Sequence, residues 1–259
     1  MERTRLNARV LFLAMFVLLA ATVAIAQPEL PHENHYRVYF ARPYTYVEPI
    51  LLRDQFGTYQ VDFFTLEHWA NPAEKIHNGV SYPPVDPMIH QTWWRANFPP
   101  IEPHFITVID QFGADKWTVY NPEYLVNPAL KNVPGGSPPP WNHYLCYRAQ
   151  GSPVGQLVIL VDQFGIVTVQ LMNRFRFCNP VEKTHLVTGK VEPIIDPKAH
   201  LACYSYPRNP FAYPVIAVDE FGTWQFDANN DDCLCVPALK EHVVRTESST
   251  WGKIKAMYQ

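Results

Sequence analysis

Glycine is scarce in this chain of 259 residues, with 11 copies against 25 prolines. Neither a glycine-rich phosphate loop nor a dinucleotide fingerprint is present. Gly-x-Ser-x-Gly and His-Glu-x-x-His are missing as well, and the carboxylates are scattered at turns instead of paired at strand ends. Charge of one sign is also lacking. With 21 basic and 24 acidic side chains the formal net charge is −3, which gives no electrostatic reason to bind nucleic acid. No long apolar run follows residue 26, so no membrane insertion is expected beyond it. No Asn-x-Ser/Thr acceptor occurs, which favours a bacterial periplasmic or extracellular setting.

One apolar run does occur, at the start. Arg3, Arg5 and Arg9 precede Val10 to Ala26, which ends on the small-residue pattern Ala24, Ile25, Ala26. That order reads as a signal peptide over 1–26, with an uncleaved anchor as its alternative. The expected location is secreted or periplasmic.

The rest of the chain repeats itself. "DQFG" stands at 54–57, 110–113 and 162–165, and "DEFG" at 219–222. Each unit opens with a histidine (His35, His90, His143, His200) and closes with a proline 18 residues after the Asp (Pro72, Pro128, Pro180, Pro237). A lysine follows three residues later: Lys75, Lys131, Lys183, Lys240. Shared "NHY" openings pair unit one with unit three, and Asp-Pro-x-x-His joins units within each half. The sequence therefore divides into a β-domain of two repeats over 33–131, a Pro/Gly linker over 132–140, a second β-domain over 141–243 and a tail over 244–259.

Apolar or alternating segments flank every copy of the repeated word, so it reads as a hairpin turn. Asp54, Asp110, Asp162 and Asp219 are placed to accept backbone amide hydrogen bonds, and Gly57, Gly113, Gly165 and Gly222 to take positive φ. Turn geometry does not account for Phe56, Phe112, Phe164 and Phe221, which either plug a neighbouring surface or are displayed for a partner.

The repeat also aligns the cysteines. Position three after the opening His reads Val38, Trp93, Cys146, Cys203, and position two before the closing Pro reads Ala70, Val126, Cys178, Cys235. Cysteine enters both positions together, which pairs Cys146 with Cys178 and Cys203 with Cys235 and leaves Cys233 over.

Histidines and acids recur at fixed places, and two candidate metal sets can be drawn: His77, Asp86 and His90, and His185, Asp196 and His200. The bland reading of these histidines is capping or packing at strand ends, and no cofactor is expected. "DANNDD" at 227–232 has the alternation of a calcium loop without its glycine and glutamate, and reads as a solvated loop. Tyr39, Trp94, Tyr147 and Tyr204 share one repeat position, expected to be core. The further aromatics Tyr44, Tyr46, Trp69, Trp93 and Trp117 leave glycan or peptide stacking open.

The third and fourth units, "HYLCY", "VDQFG", "FCNPVEK" and "HLACY", "VDEFG", "LCVPALK", resemble an uncharacterised family of secreted bacterial β-domains. The likeness covers residues 143–240 and implies β structure and secretion, with no activity, cofactor or catalytic residue. The fold expected is all-β, with four homologous units paired into two tandem sandwich- or barrel-like domains; a four-bladed propeller is the alternative. The function expected is a non-enzymatic binding or structural protein with an unknown protein or glycan as partner. A carbohydrate-binding protein and a histidine-based metal hydrolase are the alternatives.

Overall fold

The computed structural model describes residues 29–242. The expected signal peptide over 1–26 and the expected tail over 244–259 lie outside them. Every element among the described residues is a strand, so the all-β expectation holds. Unit one contributes β1 (Tyr36–Phe40), β2 (Thr45–Arg53), β3 (Thr58–Pro72), β4 (Glu74–His77) and β5 (Val80–Tyr82). Unit two contributes β6 (His90–Ala96), β7 (His104–Asp110) and β8 (Gly113–Lys131). Unit three holds β9 (His143–Gln150), β10 (Leu157–Asp162), β11 (Gly165–Gln170), β12 (Arg174–His185) and β13 (Val191–Glu192). Unit four holds β14 (His200–Ser205), β15 (Ala212–Asp219) and β16 (Gly222–His242).

Pairing closes these strands into a ring. β1 pairs β3, β3 pairs β6, β6 pairs β8, β8 pairs β9, β9 pairs β12, β12 pairs β14, β14 pairs β16, and β16 returns to β1, all antiparallel. Each unit thus supplies its opening strand and the end of its long strand to one barrel, which leaves the ring without an edge. The interior layer at mid-height is made by Val38, Ala70, Trp93, Val126 and the four half-cystines, which cluster together across all four units. The cysteine pairs expected from the repeat are both present, Cys146 opposite Cys178 and Cys203 opposite Cys235.

The closing prolines occupy the next layer down, and their placement has a backbone reason. Within its own unit Pro72 faces Tyr36, Pro128 faces Gln91, Pro180 faces Tyr144 and Pro237 faces Leu201. On the other side the pairing stops two residues earlier in every case, at Ala70, Val126, Cys178 and Cys235. The missing N–H therefore falls where the neighbouring strand has not begun.

Ahead of its barrel segment each unit sends a hairpin outward. The register slips at Glu67, Glu123, Phe175 and Asp232, one repeat position in all four units, and these bulges bend the hairpin away from the barrel. The hairpins then reach the unit two places along: β2 pairs β12, β7 pairs β16, β10 pairs β4 and β15 pairs β8. A second core lies between the barrel wall and these hairpins, and it contains Tyr39, Trp94, Tyr147 and Tyr204.

The pairing corrects the division into two tandem domains at 132–140. Units one and four share a ladder of the same kind as units two and three, and hairpins cross between the proposed halves. The Pro-rich segment is a surface crossing pinned to unit four, with Asn132 N–H donating to Ile216 O at 2.7 Å. "DANNDD" is likewise strand and not loop. It runs within β16, bulged at Asn230 (φ 31°), and Asp231 is buried against Arg37 at 2.7 Å.

Candidate functional site

The repeated word forms the same junction four times. Each turn Asp accepts the amide N–H of the Phe two residues on, at 2.8, 2.7, 2.9 and 2.9 Å for Asp54, Asp110, Asp162 and Asp219. In the last three hairpins Asp faces Gly directly, so the connection is two residues. Gly113, Gly165 and Gly222 take φ of 104°, 129° and 144°, the left-handed side expected of them, whereas Gly57, of which the same was expected, does not take positive φ.

The other carboxylate oxygen binds the unit two places along. Tyr147 donates to Asp54 at 2.7 Å, Tyr39 to Asp162 at 2.5 Å and Tyr204 to Asp110, while Trp94 Nε1 donates to Asp219 at 2.9 Å. The turn Phe meets that same aromatic edge-on, with centroids 5.0–5.2 Å apart: Phe56 with Tyr147, Phe112 with Tyr204, Phe164 with Tyr39 and Phe221 with Trp94. The lysine of the preceding unit covers the other face, at 4.3 Å for Lys240 on Phe56, 5.1 Å for Lys75 on Phe112, 4.1 Å for Lys131 on Phe164 and 5.3 Å for Lys183 on Phe221. Three units meet at each turn. The phenylalanines are therefore packed as plugs and not displayed. Burial raises the carboxyls of Asp54, Asp110 and Asp219, and it lowers Lys75 to about 7 and Lys183 and Lys240 to about 8.

One junction departs from the pattern. Where the others carry Gln55, Gln111 and Gln163, the fourth turn has Glu220. Buried Lys183 touches Glu220 Oε1 directly and lies 2.5 Å from Glu192 Oε2. His143 bridges both acids, at 3.3 Å to Glu192 and 3.6 Å to Glu220. His185 stands 3.0 Å from Glu48 and 3.7 Å from Glu192, and Lys190 contacts Glu192 at 2.6 Å. Desolvation opposes charge on Glu192, yet Lys183 and His143 beside it hold its carboxyl down at about 2. His143 is driven well below its ordinary value by burial and by Lys183. The corresponding junction in unit one lacks both acids: Lys75 bonds Gln111, and Tyr82, at the position of Glu192, offers its ring 4.0 Å from the ammonium.

Above the charged junction opens a cleft of about 470 Å³. Pro138, Pro139, Pro140 and Trp141 form one wall, Val191, Pro193 and Ile195 the other, and His143, Glu192 and Glu220 the floor. The unit-one junction has its own hollow of about 450 Å³, lined by Glu33, His35, Tyr82 and Gln111. A third and larger groove, of about 860 Å³, lies elsewhere, along Arg148, Arg174 and Arg176.

The structure does not assemble either metal set drawn from the sequence. His77 Nε2 lies 3.1 Å from Gln156, the Asp86 backbone is held by the Asn34 side chain while its carboxylate accepts from the amide of Met88, and His90 stacks on Trp69 at 4.9 Å. Asp196 caps the amide of Lys198, His200 stacks on Phe177 at 5.4 Å, and His185 faces Glu48. Two other groups with metal-ligand chemistry converge among the described residues: His143, Glu192 and Glu220, and Cys203, Cys233 and Cys235, two of which form a disulfide. Of the proposed stacking aromatics, Trp69, Trp93 and Trp117 are buried, whereas Tyr44 and Tyr46 are half-buried.

Sequence reasoning missed Glu192 and Glu33. Glu33 is buried at the foot of the barrel, where its carboxyl accepts from Tyr144 at 2.5 Å, Tyr36 at 3.1 Å and Trp141 at 2.8 Å. Burial raises its pKa. Neither residue recurs in the repeat, so the internal alignment carried no signal for them. The exchange of Gln for Glu at 220 was visible.

A family model described as a repeat of unknown function (DUF7450) matches residues 90–237. That span runs from the opening histidine of unit two to the closing proline of unit four. No curated protein and no solved structure matches the chain.

Proposed function

The chain belongs to the DUF7450 family of repeats of unknown function, and from that premise we propose that it is a non-enzymatic binding module of an oxidising, extracytoplasmic compartment. Two intrachain disulfides support the compartment. One observation carries the binding role. The repeated Asp, Phe, Lys and Tyr or Trp residues all face one another at unit junctions, whereas Glu192, Glu220 and His143 face a hollow with apolar walls. The walls suit an extended or cyclic apolar group. Asp219, Glu192 and Glu220 stand against Lys190 in the lining and Lys183 buried beside it, an excess of one acid, so the floor suits a cationic group. A short peptide with a basic side chain combines the two.

The test is a ¹⁵N NMR titration of the full chain with short Lys/Arg-containing and Glu-containing peptides. Shifts confined to 136–143, 190–195 and 219–220 are expected with the basic set alone. Ile195→Asp, at an exposed wall position, should weaken binding about tenfold, the equivalent of about 1.4 kcal/mol. Binding that maps elsewhere, or no response to either set, would overturn the reading.

A further inference from the structure

The charged junction carries the most chemistry. It places an amine, a carboxyl electrophile and a second carboxylate in contact. Lys183 is fully buried with its Nζ against Glu220, and Glu192 reaches the same nitrogen at 2.5 Å. Phe221 lies 5.3 Å from that nitrogen and Tyr46 stacks on Phe221 at 4.1 Å, so the group sits against aromatic rings. His143 spans the two acids, and the cleft opens directly over Glu220.

We propose that Lys183 and Glu220 form an intramolecular amide cross-link, promoted by Glu192. The reacting pair is the neutral amine and the neutral carboxylic acid, reached from the ion pair by one internal proton transfer. Burial of Lys183 lowers the cost of reaching that neutral pair from the ion pair, because a desolvated ammonium is disfavoured. Lys183, lowered to about 8, is the residue that burial disposes to give up its proton. Nζ attacks Cδ of Glu220. Glu192 takes a proton from the nitrogen and delivers it to the departing oxygen, as a general base and then a general acid. One C–N bond forms, one C–O bond breaks, one water leaves through the cleft, and Glu192 is again a carboxylate. No oxidant or co-reactant enters. Holding amine and acid in contact supplies the effective concentration that free amines and acids lack in water.

Unit one shows why the reaction belongs to this junction. There Gln111 replaces the acid and Tyr82 replaces Glu192, so Lys75 has neither the same electrophile nor a carboxylate at that place to move the proton.

The experiment is intact-mass spectrometry of the full chain after reduction and denaturation. The wild type should be lighter than its linear sequence by one water, about 18 Da. Digestion should yield one branched peptide joining the segments that hold Lys183 and Glu220. Lys183→Met and Glu192→Gln should each restore the linear mass. A wild type at full linear mass would overturn the proposal, with no variant needed. So would a deficit that persists in Lys183→Met. The cross-link removes the charge of both Lys183 and Glu220 and leaves Glu192, Asp219 and Lys190 lining the cleft, so peptide binding is read separately and either result stands if the other fails.

Discussion

The Tyr147 hydroxyl donates to Asp54 at 2.7 Å, joining unit three to the turn of unit one across 93 residues of chain. Tyr39 and Asp162 make the reciprocal bond at 2.5 Å. Opposite units are thus tied in both directions through buried carboxyls. Tyr147→Phe leaves Asp54 with one partner fewer and should cost about 1–3 kcal/mol in urea unfolding. Tyr39→Phe should cost a similar amount. A change well under that range in both would mean that the junction is packing alone.

The turn phenylalanines should rank by burial. Phe221 is 8% exposed and packs on Trp94, Tyr46 and Phe64, whereas Phe164 is only partly buried. Phe221→Ala should lose about 3–5 kcal/mol. Phe164→Ala should lose less, and thermal unfolding of the two variants side by side checks the order.

How far the sequence was legible follows from what repeats. Backbone demands recur in every copy, so the turn, the closing proline and the cysteine register could be aligned without any relative. Ring closure could not. β1 meets β16 through ladder bonds that any strand edge offers, and nothing in the composition of "YRVYF" names its partner. The central run of prolines looks the same whether it separates domains or crosses a surface. The candidate site was half visible, since Glu220 stands out from Gln55, Gln111 and Gln163, while Glu192 lies in a segment whose length differs between units.

The disulfides allow a graded test. Each closes a segment with a sequence separation of 32, for which loop entropy stabilises by about 3–4 kcal/mol. Unit one fills the same cross-strand position with Val38 and Ala70. Replacing Cys146 by Val and Cys178 by Ala should therefore cost less than replacing both by Ser, which puts hydroxyls into an apolar layer. Calorimetry of the two double variants decides.

Acid should weaken the fold through buried histidines. Burial lowers His35 to about 3 and His90 to about 4, from an ordinary 6.5. Between those values and 6.5 the unfolded chain binds protons that the native chain refuses. Stability from these groups is thus complete above about 6.5 and is lost as pH falls through the window. Glu33, Asp54, Asp110 and Asp219, raised by burial, act with the opposite sign. Comparison with His35→Gln isolates one group: the wild type should lose more stability than the variant between pH 6.5 and about 4.

Cutting the chain in the Pro-rich crossing tests the ring. Residues 29–131 alone lack the partners of β1, β4 and β8 on β16, β10 and β9. Neither half should show a cooperative transition by itself, and mixing the halves should restore one. Independent folding of either half would contradict the closed ring.

Closure of β1 onto β16 also fixes which way the molecule faces. Tyr36 lies opposite Cys235, so the described chain enters and leaves at one rim of the barrel. The far mouth, where Arg95 and Arg176 pair with Glu67 and Asp232, therefore lies at the opposite end of the barrel from both ends of the described chain.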